Sequence, residues 1–344
     1  KNLPDVAVVP SEHFNTVLWT GNNTDDRSIT GVGFQPDFHW NKARNRDGGD
    51  GYYLYDAIRG ATKVLYSNLT NAEATEGNAL QAFESDGFQM GSDSNSNSSS
   101  YNYVSWNWKA NGSGSSNTNG TITSTVSANV DAGFSIVSYT ANNTSGATVG
   151  HGLSKTPEMI IVKARSMAQG WAVYYGDETD YLQLNLTSAT ADASNFWNDT
   201  APTSSVFSLG NNWIVNNNSA NYIAYCFHSV DGYSKVGSYT GNGNVDNAFV
   251  YTGFRPAWVM IKPSTNTGNW AIQDAVREPN NVTLKRLFPD LSNAENGGEV
   301  ESTYGIDLVS NGFKIRANHS STGSAGTYIY IAFAETPFKY SNAR

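Results

Sequence analysis

Two short segments carry residue types suited to ligand chemistry. Asp56-Ala57-Ile58-Arg59 and Asp274-Ala275-Val276-Arg277 each set a carboxylate three residues from a guanidinium, four residues after an aromatic, Tyr52 or Trp270. The middle of the chain keeps the aromatic as Trp171 but has Tyr175 at the Asp position. Such a set suits a saccharide: an aromatic face buries sugar CH surface, and the charged pair hydrogen-bonds hydroxyls. Tyr52, Asp56, Arg59, Trp171, Trp270, Asp274 and Arg277 are therefore the candidate ligand-binding residues. The competing reading is an ion pair orienting a loop over a core aromatic, and the joint recurrence of both charged residues favours it.

Motifs for catalysis or metal binding are sparse. There is no Gly-Lys pair for a phosphate loop, no G-x-S-x-G elbow and no G-x-G-x-x-G fingerprint. His13, His39, His151, His228 and His319 have no metal-ligand spacing. Asp93-Ser94-Asn95-Ser96-Asn97 starts like a calcium loop, but Ser98 stands where Gly is needed and Val104 where a bidentate Glu belongs, so it reads as a solvated hairpin tip. Asp47-Gly48-Gly49-Asp50-Gly51 reads as a mobile hairpin loop. Cys226 sits in an apolar strand as a small buried hydrophobe. No catalytic residue, metal or cofactor is expected.

Composition narrows the class. Lys and Arg total 21 against 30 Asp and Glu, a net charge of −9, which opposes nucleic-acid binding. Charged residues make up only 15% of the 344, so Asn, Ser and Thr must supply the polar surface, and these favour strands and turns over helix interiors. No 18-residue apolar run marks a transmembrane helix, and one cysteine excludes an internal disulfide framework. The start at Lys1-Asn2-Leu3-Pro4 has neither a signal-peptide pattern nor an initiator Met, as in a processed chain or a fragment.

The elements that position these residues repeat three times. Trp19-Thr20-Gly21-Asn22 returns as Tyr139-Thr140-Ala141-Asn142 and Tyr239-Thr240-Gly241-Asn242. Gly33-Phe34-Gln35-Pro36 returns as Gly253-Phe254-Arg255-Pro256, and the hydrophobic strand after each Pro ends in Lys42, Lys163 or Lys262, lysines expected to snorkel at a sheet edge. An acid at the head of that strand is Asp37, then Glu158, then Ala257, so a carboxylate there is not common to all copies. Each copy closes on an aromatic strand, Tyr103 to Trp108, Tyr222 to Phe227 and Tyr328 to Phe333. In the first of these, Val104, Trp106 and Trp108 alternate with Ser105 and Asn107, which predicts one buried and one wet face. Asp86-Gly87 and Asn311-Gly312 predict tight turns with positive φ. Helix is expected only in short pieces around 72–82 and 289–296.

The fold expected is all-β, with three tandem homologous β-sandwich, jelly-roll-like domains. The boundaries are a lead-in at 1–16, repeat one at 17–110, a Gly/Ser/Asn/Thr-rich flexible linker at 111–133, repeat two at 134–230 and repeat three at 231–344.

The order of YTGN, GFQPD or GFRPA, DAIRG, ATKVLYSN, FESDGFQMGS, APTSSVFSLG, YIAYCF and GYSKVGSYTGNG resembles a repeated β-rich domain of tailed-bacteriophage virion structural proteins, of the tail-fibre or tail-associated type. The resemblance runs from about Phe14 to Tyr340. It implies a non-enzymatic protein on the exterior of the particle, at the tail, contacting host-surface glycan and other virion proteins as a homo-oligomer, a trimer. It carries no catalytic residues. Two alternatives stand beside adhesion: a capsid decoration or head-fibre protein, and a polysaccharide-degrading tail enzyme, which needs two carboxyls across a cleft.

Overall fold

The computed structural model describes residues 8–48, 51–295 and 301–335. Strands hold 42% of the described residues and helix 4%, so the protein is all-β, built of antiparallel sheets. Three large sheets dominate. In the first, Phe14–Thr20 pairs Asn102–Trp108, followed by Phe38–Ala43, Tyr53–Asp56, Lys63–Tyr66 and Ala74–Thr75. The second runs Ser115–Asn117, Ser124–Asn129, Phe134–Thr140, Asn221–Phe227, Met159–Ala164, Trp171–Tyr174, Asp180–Gln183 and Ala191–Asp192. The third is Ser234–Gly241, Gly326–Ala334, Pro256–Pro263 and Ala271–Asp274.

Each large sheet buries both faces, and the reason lies in its alternation. One face packs on a small sheet of its own repeat: Arg27–Thr30, Gly87–Met90 and Leu80–Glu84 in repeat one, Ala147–Gly150 with Val206–Leu209 in repeat two, and Phe249–Tyr251, Gly312–Ile315 and Ile306–Val309 in repeat three. The opposite faces of all three large sheets meet in one shared core, where Trp40, Trp106, Trp108, Ile136, Met159, Trp171, Trp258, Trp270 and Phe333 are all buried. Rings cross the repeats there: Phe38 stacks on Tyr225 at 4.3 Å, Phe14 on Phe333 at 5.0 Å, and Trp108 meets Trp258 edge-on at 5.7 Å. Aromatics of this size dominate core energetics, so the shared centre is a main source of stability.

Several expectations change. Segment 111–133 is not a free linker, because Ser115–Asn117 and Ser124–Asn129 pair in register and extend the second large sheet. The pieces near 72–82 and 289–296 form no helix among the described residues. Ala74–Thr75 and Leu80–Glu84 are strands, and tertiary pairing overrides the local Ala and Glu propensity. Helical turns occur instead at Pro10–Glu12, Ser194–Trp197, Trp213–Asn216 and Glu301–Tyr304. Ser105 and Asn107 do not face water. They lie fully buried beside His39 and Asn41 in a polar network, His39 Nδ1 to Asn107 Oδ1 at 2.8 Å and Asn41 Nδ2 to His39 Nε2 at 2.9 Å. At the Asp-Gly and Asn-Gly turns the need is close approach: a Cβ on Gly87 or Gly312 would fall 1.9 or 2.0 Å from the carbonyl oxygen of Ile29 or Val250. Only Gly87 of the two has positive φ.

The YTGN loops are held by buried asparagines. Asn97, Asn216 and Asn247 each donate through Nδ2 to two or more backbone carbonyls and accept the backbone N–H of Asn22, Asn142 or Asn242. Asn22, Asn142 and Asn242 in turn accept the backbone N–H two residues on. The segment Asp93 to Asn97, expected as a solvated hairpin tip, is part of this clasp. Asp93 Oδ1 is filled by the Asn95 and Ser96 N–H groups and the Ser96 hydroxyl, and Ser96 and Asn97 are buried instead of solvated.

Candidate functional site

The seven residues singled out for ligand binding do come together, but at the seams between repeats and away from solvent. Tyr52, Asp56, Trp171, Trp270 and Asp274 are at most 1% exposed, Arg277 3% and Arg59 7%. A stacked sugar needs an open ring face, so these are not surface ligand residues and the core ion-pair reading holds.

Their geometry is a ring of three seams. Between repeats two and one, Asp56 Oδ2 accepts from Arg59 Nε and from Tyr225 Oη at 2.8 Å, and Glu73 bridges Arg59 and Arg165. Between repeats one and three, Asp274 Oδ2 accepts from Arg277 Nε and from Trp106 Nε1 at 3.1 Å, and Glu295 bridges Arg277 and Arg44. Burial pulls the Arg59 pKa down, yet Asp56, Tyr225 and Glu73 outweigh it and push the pKa up. Between repeats three and two, three of these positions are neutral. Tyr175 replaces the Asp, Ile331 aligns with Trp106 and Tyr225, and Ser264 aligns with Arg44 and Arg165. The backbone contact persists: Thr190 N donates to Ser264 O, as Glu73 N does to Arg165 O and Glu295 N to Arg44 O.

The strand-end lysines belong to the same seams. Lys42, Lys163 and Lys262 are fully buried and do not snorkel. Lys42 Nζ donates to Ser292 O, Lys163 Nζ to Thr70 O and Lys262 Nζ to Thr187 O and Ser188 O, each reaching into the neighbouring repeat. Burial, reinforced by Arg59, lowers Lys163 to about 7, and burial against a modest opposing pull from Asp290 lowers Lys262 to about 8. Trp171 and Trp270 also cross over, donating Nε1–H to Tyr66 O at 2.9 Å and Gln183 O at 3.0 Å.

The variable acid has a role of the same kind. Asp37 accepts the backbone N–H of Ala110 and Gly112, and Glu158 that of Ser229, so each pins the chain as it leaves its repeat. In repeat three, where Ala257 stands, Arg255 instead pairs with Glu335. Asp47 accepts from Ala294 N across a seam, while positions 49 and 50 of its loop lie outside the described residues. Burial raises the Cys226 thiol to about 12, which removes it as a nucleophile at neutral pH. Among the described residues no three His, Cys, Asp or Glu side chains gather as a metal site.

Three aromatic side chains are exposed elsewhere, among scattered valines and leucines. Phe249 and Tyr251 are 49% and 66% exposed on either side of buried Val250. They stand on the outer face of the third small sheet, and Trp213 is exposed at the start of the helical turn Trp213–Asn216 of repeat two. Register makes Ile29, Val149 and Val250 equivalent, since they pair with Phe88, Phe207 and Phe313. Repeat one therefore carries Ser28 and Thr30, and repeat two Thr148 and Gly150, where repeat three carries Phe249 and Tyr251. Ser28 is engaged with Glu84, and Thr148 with Thr121. The signal in the sequence was the strand Phe249-Val250-Tyr251 itself, which has no polar position.

A family model described as a domain of unknown function, DUF7483, matches residues 9–337, a span that takes in all three large sheets. No curated protein and no solved structure matches the chain.

Proposed function

Because the chain belongs to this DUF7483 family of unknown function, we propose from its own residues that it is a non-enzymatic adhesion protein on the exterior of a phage particle. In this reading the three sheet pairs are homologous sandwich units, fused through their common core into a stiff body. It sits at the tail, with other virion proteins and further copies of itself as partners, and it contacts host-surface glycan. The motif order that resembles tailed-phage virion domains supports the location.

The observation that carries glycan contact is the exposed pair Phe249 and Tyr251, placed where the other repeats carry Ser, Thr and Gly. The strand gains nothing for its own stability from two rings left in water. Stacking on sugar CH surfaces uses them. The net charge of −9 is consistent with a protein that does not bind nucleic acid.

The test is adsorption of the fluorescently labelled protein to bacterial cells before and after periodate oxidation of their surface glycans. Adsorption should fall after oxidation and with Tyr251→Ala. Adsorption that ignores both treatments would overturn glycan contact and leave a non-glycan receptor, and no adsorption at all would favour a capsid-decoration role.

A further inference from the structure

We propose that the outer face of the third small sheet binds an uncharged stretch of polysaccharide, with Phe249 and Tyr251 as adjacent stacking platforms. The inference rests on the adhesion reading above and adds the class of glycan.

Positions i and i+2 of a strand lie about 6.6–6.8 Å apart on one face, a separation suited to neighbouring sugar rings more than to one compact ligand. Pairing register sets Phe249 beside Lys314 and Asp307 in one row, and Tyr251 beside Gly312 and Val309 in the next. The hydroxyl end of Tyr251 reaches toward Gly253, where a Cβ would come within 3.7 Å of its Oη. Tyr251 is 66% exposed. Gly312 leaves the strip beside the ring without a side chain.

Charge decides the ligand class. Lys314 pairs with Asp246 at 2.7 Å and also donates to Asn247 O, and Arg316 pairs with Asp307 at 2.7 Å. Each basic group on this sheet already has its carboxylate. An acidic glycan would meet cations that are neutralised within a protein of net charge −9, whereas a neutral one loses nothing on contact. The balance of the face matches hydroxyls better than uronates or sulfates.

Affinity electrophoresis of the full chain separates the possibilities, using gels containing neutral polymers (mannan, dextran, galactan) or acidic ones (alginate, chondroitin sulfate). The expected result is retardation by at least one neutral polymer, unchanged in 0.5 M NaCl, and weakened about tenfold by Tyr251→Ala or Phe249→Ala with thermal unfolding unaltered. Retardation only by acidic polymers, lost in Tyr251→Ala, overturns the neutral class and leaves glycan adhesion standing. Retardation by neutral polymers that both alanine variants retain overturns the assignment to this face. No retardation in any gel overturns this inference and glycan adhesion together.

Discussion

The indole nitrogen of Trp106 lies 3.1 Å from Asp274 Oδ2, joining the first repeat to the third, and the residues equivalent to these two differ in concert at the other seams. At the next seam the pair is Tyr225 and Asp56, a hydroxyl donor to a carboxylate at 2.8 Å. At the last it is Ile331 and Tyr175, where donor and acceptor are both replaced and the two side chains join the shared core. A buried carboxylate that loses a donor is destabilised, so a change at one of the two positions is felt at the other.

Removing one partner should therefore cost far more than the pair contributes. Asp274→Asn leaves the buried Arg277 guanidinium with Glu295 as its remaining anion, and the expected loss is about 3–5 kcal/mol. Urea unfolding followed by tryptophan fluorescence measures it. A loss under about 1 kcal/mol would show that the seam does not depend on this carboxylate.

Trp171→Ala and Trp270→Ala should behave as core deletions, each destabilising by about 3–5 kcal/mol. Both rings are at most 1% exposed and each donates to a carbonyl of the neighbouring repeat. Denaturant midpoints check this, and a midpoint equal to that of the parent chain would return these residues to the surface.

Acid should weaken the protein through His39 before most carboxylates titrate. Burial lowers His39 to about 4, with the Asn107 hydrogen bond opposing, against 6.5 when unfolded. Between those values the unfolded chain binds more protons, so stability falls as pH drops from about 6.5 to about 4 and flattens below, a change on the order of 3 kcal/mol. His151, lowered by burial to about 4, adds to the slope. Replacing the network by its counterparts in repeat three, His39→Val, Asn41→Ile and Asn107→Ala, should reduce the slope while holding stability at pH 7. His39→Val alone should cost about 1–3 kcal/mol, because Asn107 and Asn41 lose their partner. Unfolding curves at a series of pH values decide between a slope set by His39 and one set elsewhere.

Asn216→Ala should loosen one loop without unfolding the body. It removes donors to Thr144 O and Gly210 O and the acceptor for two backbone N–H groups. Faster amide hydrogen exchange confined to 141–146 and 210–217 is expected, with global unfolding lowered by about 1–3 kcal/mol. Exchange rising evenly across the chain would show that the clasp supports the whole fold.

The all-β class was legible because alternation, turn residues and low charge all pointed one way. The repeats also exposed the Asp and Arg pairs, and their joint recurrence already favoured the ion-pair role that the seams confirm. The shared core was not legible. Trp106, Trp108 and Trp258 look like any strand aromatics until the three sheets are seen face to face, and nothing local says which face of a doubly buried strand meets a neighbouring repeat. Lys42, Lys163 and Lys262 misled for the same reason: a strand-end lysine is ordinarily wet, and only the neighbour's carbonyls make it a buried donor. Segment 111–133 looked like a tether because Gly, Ser and Asn suit one, yet its backbone completes a sheet edge. Phe249 and Tyr251 were passed over because strand aromatics are usually core.

The cyclic order of the seams has a mechanical consequence. A row of beads on a string parts at its weakest link, and tension on one bead reaches the next only through the tether. Here repeat one rests on three, three on two and two on one, so a pull on any repeat is resisted by two seams at once. A load arriving at the exposed face of repeat three passes through Trp106 with Asp274 on one side and Lys262 with Thr187 on the other. In a closed set of three seams each repeat is held by both neighbours, so releasing one requires two seams to open.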